Sequence, residues 1–179
     1  YRNRALPGVS AMSWALTALS CLTWLLYGVR TGEIPQIPGN VFMVSGAAVV
    51  VLAVPSAAST GRRALGLLAG AGALGALAFV LPAAAIGGVG FAIGLISGLP
   101  QLVLSLTRRR GDSAVSLLTW ALRVASQACW LFYAVVVGDP VVAVSAAFLL
   151  TSAALVLVVE LVRQPATAPA PAPVLAPVP

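Results

Sequence analysis

The sequence predicts an all-α polytopic membrane protein. Of its 179 residues, 60% are hydrophobic and only 8% are charged, and the mean hydropathy is +1.04. Since a soluble domain carries about 25% charged residues, lipid is the expected solvent. Continuous apolar runs of roughly 20 residues recur, which is the length that crosses about 30 Å of hydrocarbon as a helix. The runs do not alternate polar with apolar residues, which favours helices over a β-barrel.

Six apolar runs predict six helices in chain order. Their approximate ranges are 9–30, 38–57, 64–82, 83–107, 114–137 and 140–162. Asp139 before Pro140 predicts an N-cap with proline at the first helical position of the sixth helix. Small residues spaced four apart predict close helix packing. They are Gly66 and Gly70 in the third run, and Gly90, Gly94 and Gly98 in the fourth.

The arginines predict the orientation of these helices. With alternating crossings, eight arginines fall on one side and Arg30 alone falls on the other. The eight are Arg2, Arg4, Arg62, Arg63, Arg108, Arg109, Arg110 and Arg163. Because cytoplasmic loops are enriched in basic residues, we expect a multi-pass protein of the cell membrane with a cytoplasmic C-terminus. The net charge of +6 is explained in this way, and no nucleic-acid motif accompanies it.

Several kinds of site are not expected. The chain has no histidine, and Cys21 and Cys129 lie inside apolar runs as small packing residues. We expect no metal and no cofactor, since no cluster has metal-ligand spacing. No G-x-S-x-G, P-loop or Rossmann signature occurs, and no nucleophile–base pair is visible. We therefore do not expect an enzyme.

An internal repeat organises the chain. A shift of 106 positions places Trp14 on Trp120, Trp24 on Trp130, Tyr27 on Tyr133, Gly32 on Gly138 and Glu33 on Asp139. Such self-similarity indicates duplication. The same shift carries Pro100-Gln101 to about six residues before Tyr1, so an opening helix of the first copy is expected upstream of the residues given. The run 64–82 would then join two three-helix repeats in parallel.

These motifs resemble a known superfamily. Pro100-Gln101, a basic loop, Ser116 four residues before Trp120, Trp130 three before Tyr133, and a short acidic turn are similar to the PQ-loop pattern. The 3+1+3 layout resembles the SWEET (MtN3-like) sugar transporters, and one repeat resembles bacterial SemiSWEETs. The resemblance implies a passive, bidirectional sugar uniporter that works by alternating access.

The resemblance also implies a division of the chain into four parts. Residues 1–57 would be the remainder of the first repeat, 58–82 the linker helix, 83–163 the second PQ-loop repeat, and 164–179 a Pro/Ala-rich disordered tail. A segment of this composition has no core to join.

Two polar stripes predict a passage between the copies. At 100° per residue, one face of the fifth helix and one face of the first helix carry them. The stripes are Ser116, Trp120, Arg123, Gln127 and Trp130, and Ser10, Trp14, Thr17, Cys21 and Trp24. Lipid offers no hydrogen-bond partners, so the stripes should face each other. Tryptophan rings can stack on sugars, although interfacial anchoring or packing also explains Trp and Tyr.

Four residues form the sugar site that the resemblance implies. Trp24 and Asn40 match it in the first copy, and Trp130 matches it in the second. The second asparagine position falls on Ser145 or Ala146, and a serine binds hydroxyls with fewer donors and acceptors than an amide. Asn40 has a structural alternative, a hydrogen bond between helices.

Arg123 replaces Thr17 of the first copy, and an arginine at a helix centre costs roughly 2.5–3.5 kcal/mol on insertion. We expect it to face the passage and either pair with Gln127 or bind an anionic group of a solute. The alternative is that it snorkels toward the cytosol.

A hinge is predicted in the fourth helix. Pro100 frees a backbone carbonyl, and Gly98 and Gln101 flank it. Together they form a candidate hinge for alternating access, with a static kink as the alternative.

The expected partners are a small polar solute and membrane lipid, with a homo-oligomer left open. Proton-coupled carriers usually need a buried carboxylate or histidine. No acid lies at the centre of a run, and Glu160 lies near the inner end of the sixth, which favours passive transport. Two other functions remain open. One is an amino-acid carrier in which Arg123 holds a carboxylate, and the other is a non-transporting receptor or scaffold.

Overall fold

A computed structural model describes residues 11–54, 58–107 and 116–163, with backbone only at 99–101 and 104. These ranges contain six helices and no strand. They are α1 (Ala11–Thr31), α2 (Gln36–Ala53), α3 (Thr60–Val80), α4 (Ala83–Thr107), α5 (Leu117–Val137) and α6 (Pro140–Arg163). The all-α prediction is confirmed, and the predicted ends differ from the observed ends by a few residues.

Length and composition suit these helices to a membrane. Five of them (α1, α2, α3, α5 and α6) are long and apolar enough to span one, and α4 is apolar over Ala83–Gly98. Large apolar side chains cover the outside of the described chain, with Phe79 90% exposed and Phe132 73% exposed. Soluble monomers rarely expose apolar surface on this scale, whereas lipid solvates it. Both findings support a multi-pass membrane protein.

The helices differ in how many neighbours they have. In the described part of the chain, α1 packs against α2, α3 and α4, while α6 lies between α4 and α5 and packs against both. Among the described helices, only α6 has Cα atoms within 8 Å of those of α5, and no Cα atom of α1 lies within 8 Å of one in α5. More than 8 Å therefore separates the Cα atoms of the two helices that carry the polar stripes, and we call this separation the gap.

Glycines bring α1 against α3 and α4. A Cβ on Gly70 would lie 2.9 Å from Leu19 Cδ2, and one on Gly94 would lie 3.2 Å from Ser20 Oγ. Ser20 Oγ also donates a hydrogen bond of 2.8 Å to the Gly90 carbonyl. The predicted close packing therefore forms at Gly70, Gly90 and Gly94.

Two of the predicted small-residue positions behave differently. A Cβ added to Gly66 or Gly98 would meet nothing within 4 Å. The predicted close approach is not found there, because no atom of another described helix lies within 4 Å of the added Cβ. A four-residue spacing of glycines marks a possible contact face, but the neighbour has to be supplied by the fold.

Three arginines cap the C-terminal ends of neighbouring helices. Arg63 donates to the Val54 carbonyl of α2 at 2.6 Å, and Arg163 donates to the Leu106 carbonyl of α4 at 2.9 Å. Arg30 donates to the carbonyl of Ala78 in α3. The last carbonyls of a helix lack intrahelical donors and favour a cation. These arginines therefore fix helix ends in addition to any effect on orientation.

The α1–α2 and α5–α6 connections repeat each other. α1 and α5 each have 21 residues, and their bounds are 106 positions apart. Gly32 (φ 76°) and Gly138 (φ 75°) follow them in the left-handed region that favours glycine. The next amide then donates back in both connections at 2.9 Å, from Glu33 to the carbonyl of Gly28 and from Asp139 to the carbonyl of Ala134.

Candidate functional site

Each of the two repeated segments carries the same aromatic pair. Trp24 and Tyr27 meet edge to face with ring centres 5.6 Å apart, and Trp130 and Tyr133 do the same at 5.7 Å. A spacing of three residues places both rings on one helix face. Both tryptophans are partly buried against a core cluster that includes Tyr27. The pairs therefore face the interior of the protein.

Two hydrogen bonds cross between the segments. Tyr27 Oη donates to Asp139 Oδ2 at 2.7 Å, and Tyr133 Oη donates to Glu33 Oε2. Each bond joins the tyrosine of one segment to the acid of the other. We call these four residues the tyrosine clasp. It connects α1 to the turn after α5 and α5 to the turn after α1, although the backbones of the two helices stay apart.

Asp139 has a second role in the clasp. Its other oxygen, Oδ1, accepts from the amides of Val141 at 2.9 Å and Val142 at 3.0 Å. The predicted N-cap of α6 is therefore confirmed. Because the cap holds the carboxylate in one orientation, it also positions Oδ2 for Tyr27.

The sequence contains a signal for the clasp that lies outside the two polar stripes. In both segments the acid follows the tyrosine by six residues, as Tyr27 precedes Glu33 and Tyr133 precedes Asp139. Of the two explanations for the tyrosines, a membrane belt or packing, packing is confirmed for Tyr27, which is 4% exposed within the core cluster. Its hydrogen bond to the other segment was not among those explanations.

The polar stripes approach each other further along the helices. Arg123 of α5 and Cys21 of α1 are close enough to interact electrostatically across the gap. The Arg123 guanidinium lies 5.4 Å from the centre of the Trp120 ring. Arg123 is exposed and Gln127 is half-buried.

The expected pairing of Arg123 with Gln127 does not form. Within the described chain, the contact found for the guanidinium is the ring of Trp120, one turn back along α5. The side chain therefore bends toward the arginine-rich end of the protein, which is the direction of the snorkelling alternative. The reason is that Trp120 offers an electron-rich face.

A small cavity lies beside Arg123, between α4, α5 and α6. Its volume is about 30 Å³, room for about two water molecules, and its lining includes Gly94, Gly98, Trp120, Arg123 and Ser152. Ligand pockets typically measure about 300–1,000 Å³, so a whole sugar does not fit in this conformation. Trp24, Asn40, Trp130 and Ser145 do not line this cavity.

Asn40 and Ser145 both bond to their own helices. Asn40 Nδ2 donates to the Gln36 carbonyl at 2.8 Å, and Ser145 Oγ donates to the Val141 carbonyl at 2.8 Å. Hydroxyls and short amides commonly bond back to the carbonyl four residues earlier in a helix. The interhelical bond considered for Asn40 is not the one it makes.

The candidate hinge lies within a continuous helix. The backbone of α4 is helical from Ala83 to Thr107, through Pro100 and Gln101, whose side chains lie outside the described residues. Gly98 borders the cavity. The hinge therefore stays a prediction.

Glu160, the acid near the inner end of the sixth run, is buried. It is 4% exposed and lies one turn beyond Val156, which lines the cavity. No hydrogen bond or ion pair joins its carboxylate to another described side chain, while Arg163 on the same helix donates to the carbonyls of Ser105 and Leu106. The sequence indicates how far along the sixth helix Glu160 lies, whereas its burial follows from the packing of α6.

No metal-binding cluster is found among the described residues, where no three His, Cys, Asp or Glu side chains gather closely enough. Comparison with known proteins adds no assignment, because neither a protein-family model nor a curated protein matches this sequence.

Proposed function

We propose that the chain is a passive facilitator that moves a small polar solute through the gap between α1 and α5 by alternating access. The observation that carries this proposal is the tyrosine clasp. It joins the two repeated segments at one end by reciprocal hydrogen bonds, whereas their helices stay more than 8 Å apart along their length. A gap with one fastened end is the arrangement that a gated passage needs.

The strength of the clasp suits a gate. A hydrogen bond to a charged acceptor contributes about 1.5–3 kcal/mol net, so the two bonds of the clasp contribute a few kcal/mol. Two conformations that differ by that amount interconvert readily, and a solute with differential affinity shifts the balance between them. Release of the two tyrosines would open the gap at the turn end, and bending of α4 near Gly98 would accompany it.

The architecture we propose is a pair of parallel repeats joined by α3. Support comes from the matched turns at Gly32 and Gly138 and from the two aromatic pairs. In this arrangement the end that carries the turns at Gly32 and Gly138 faces the outside of the cell. The end that carries Arg63 and Arg163 faces the cytosol.

The resemblance favours a sugar as the solute. Trp24 and Trp130 would offer ring faces for stacking, and Asn40 and Ser145 would bind hydroxyls after releasing their own helices. An amino-acid carrier is the second candidate, and the position of Arg123 at the cavity favours it. Either solute would move passively. If transport is coupled to protons instead, Glu160 is the acid to test.

Counterflow in proteoliposomes tests the proposal. We expect the full-length protein to exchange labelled solute for unlabelled solute from a panel of sugars and amino acids. Tyr27→Phe with Tyr133→Phe should change the exchange rate several-fold, because it removes both bonds of the clasp. Phe132→Leu, on the exposed face of α5, is the matched control and should leave the rate unchanged.

Two outcomes would contradict the proposal. Binding of a solute without any counterflow would indicate a receptor. Accumulation above equilibrium under an imposed proton gradient would contradict passive transport, and Glu160→Gln would then show whether the buried acid carries the proton.

A further inference from the structure

We infer that the cavity beside Arg123 binds an anionic group of the transported solute, most simply a carboxylate. This inference rests on the proposed function and narrows its substrate class. The transported solutes would then be small acids, such as sugar acids or amino acids, bound through their charge rather than as neutral sugars. Arg123 is the binding residue, and Trp120 positions it.

The first support is the unbalanced charge of Arg123. It lies in a helix suited to span a membrane, where an ionised side chain normally pairs with an opposite charge. Within the described residues its contact is the Trp120 ring, which does not neutralise it. A cation–π contact with a ring uses none of the N–H donors of the guanidinium as hydrogen-bond donors to oxygen. Those donors match the two oxygens of a carboxylate.

The second support is the shape of the adjoining space. The cavity of about 30 Å³ has room for a group of a few atoms and not for a whole solute. Gly98 forms part of one wall, where even an added Cβ would meet nothing within 4 Å. The remainder of the solute would then extend from Arg123 toward Cys21 and the gap between α1 and α5.

The third support is the difference between the two segments. The position equivalent to Arg123 in α1 is Thr17, whose hydroxyl donates to the Ser13 carbonyl at 2.9 Å. Only the α5 side of the gap therefore presents a cation among these paired positions. No acid lines the cavity in the described chain, and Glu160 lies one turn beyond it on α6. A solute with one charged end would bind in a single orientation.

Cys21 provides a reporter at this site. The chain has two cysteines, and Cys129 is exposed, so Cys129→Ser leaves Cys21 as the only thiol. We would measure its modification in proteoliposomes by two methanethiosulfonates, one with a sulfonate and one with a trimethylammonium group. Both reagents attack the same thiolate, so the ratio of their rates cancels any change in the fraction of thiol ionised.

We expect the sulfonate reagent to react faster than the ammonium reagent. Arg123→Gln should lower the sulfonate-to-ammonium rate ratio about tenfold, which is the lower end of the rate changes that a focused electrostatic field produces. Arg123→Lys should keep most of the ratio, which separates loss of charge from loss of folding. Leu122→Ala, on the exposed side of α5, should leave it unchanged. D-Glucuronate should slow modification of the Arg123 protein, and D-glucose at the same concentration should not.

The outcomes separate the two proposals. If neither reagent modifies Cys21, the passage between α1 and α5 is absent and the proposed function fails together with this site. If both reagents react with no effect of charge and glucuronate gives no protection, the anionic site is overturned while the passage stands. Protection by glucose equal to that by glucuronate would also overturn it, in favour of a neutral sugar.

Discussion

The α1–α2 and α5–α6 segments share their local structure and differ in their surroundings. Both close with a left-handed glycine and the same backward hydrogen bond, and both carry an edge-to-face Trp–Tyr pair. Yet in the described chain α1 has three neighbouring helices and α5 has one. The repeated sequence therefore reproduces the contacts that each segment makes within about one helical turn. It does not reproduce the number of helices around each segment.

The residues that differ between the segments also differ in whether they contact only their own helix or other parts of the protein. Thr17 satisfies its hydroxyl within α1, while Arg123 reaches into the cavity beside α5. Glu33 accepts from Tyr133, while Asp139 accepts from Tyr27 and also caps α6. The second segment thus carries the charge and the more constrained half of the clasp. The following substitutions test these similarities and differences.

The largest loss of stability is expected for Asp139→Ala, which removes one of the two acids of the clasp. Asp139→Ala should lower stability by about 1–2 kcal/mol more than Glu33→Ala, because it removes an N-cap as well as a tyrosine acceptor. Thermal unfolding of the purified protein in detergent measures the difference, with the drop in Tm about twice as large for Asp139→Ala. Equal drops would mean that the cap of α6 contributes nothing, and that the acids are equivalent.

The next effect tests the point where α4 meets both segments. A Cβ on Gly87 would lie 2.5 Å from Val141 Cγ1 and 3.2 Å from the Tyr27 ring, whereas one on Gly88 would meet nothing within 4 Å. Gly87→Ala should cost about 1–3 kcal/mol through overpacking.

Gly88→Ala is the adjacent control. It should be neutral or slightly stabilising, since alanine favours helix over glycine by about 1 kcal/mol. The same Tm measurement compares the two variants, and an undiminished Tm for Gly87→Ala would contradict the close contact between α4, Tyr27 and Val141.

The smallest difference is expected where the segments match. Gly32 and Gly138 have nearly the same φ, with nothing within 4 Å of an added Cβ, so alanine at either position meets only the left-handed backbone penalty of about 1–2 kcal/mol. The two single variants should lower Tm equally. A clear inequality between them would show that the turns are not equivalent under thermal stress.

The sequence predicted the helices well and the contacts between them only in part. Helix positions, the N-cap at Asp139 and close approach at Gly70, Gly90 and Gly94 follow from local composition and spacing. The tyrosine clasp joins residues 112 and 100 positions apart. Helical periodicity describes one helix at a time, so it indicated which residues share a face and not which residue of another segment they would bond.

The candidate site shows the same limit. The stripe on α5 correctly grouped Trp120 and Arg123, which border one cavity, but it could not supply the walls from α4 and α6. Asn40 was grouped with Trp24 through a resemblance, and it bonds to Gln36 within α2. An amide has several partners within reach, and the choice depends on distances that only packing sets.

The sequence by itself determined that lipid is the solvent, where each helix lies, and that two turns share one geometry. Those features are local, because in an apolar solvent every span must satisfy its own backbone hydrogen bonds. The tertiary structure decided that α1 is surrounded while α5 borders a gap, that the tyrosines bond crosswise, and that Glu160 is buried. Helix association in lipid depends on shape and on individual polar contacts rather than on hydrophobic burial, and these arise only once the helices meet.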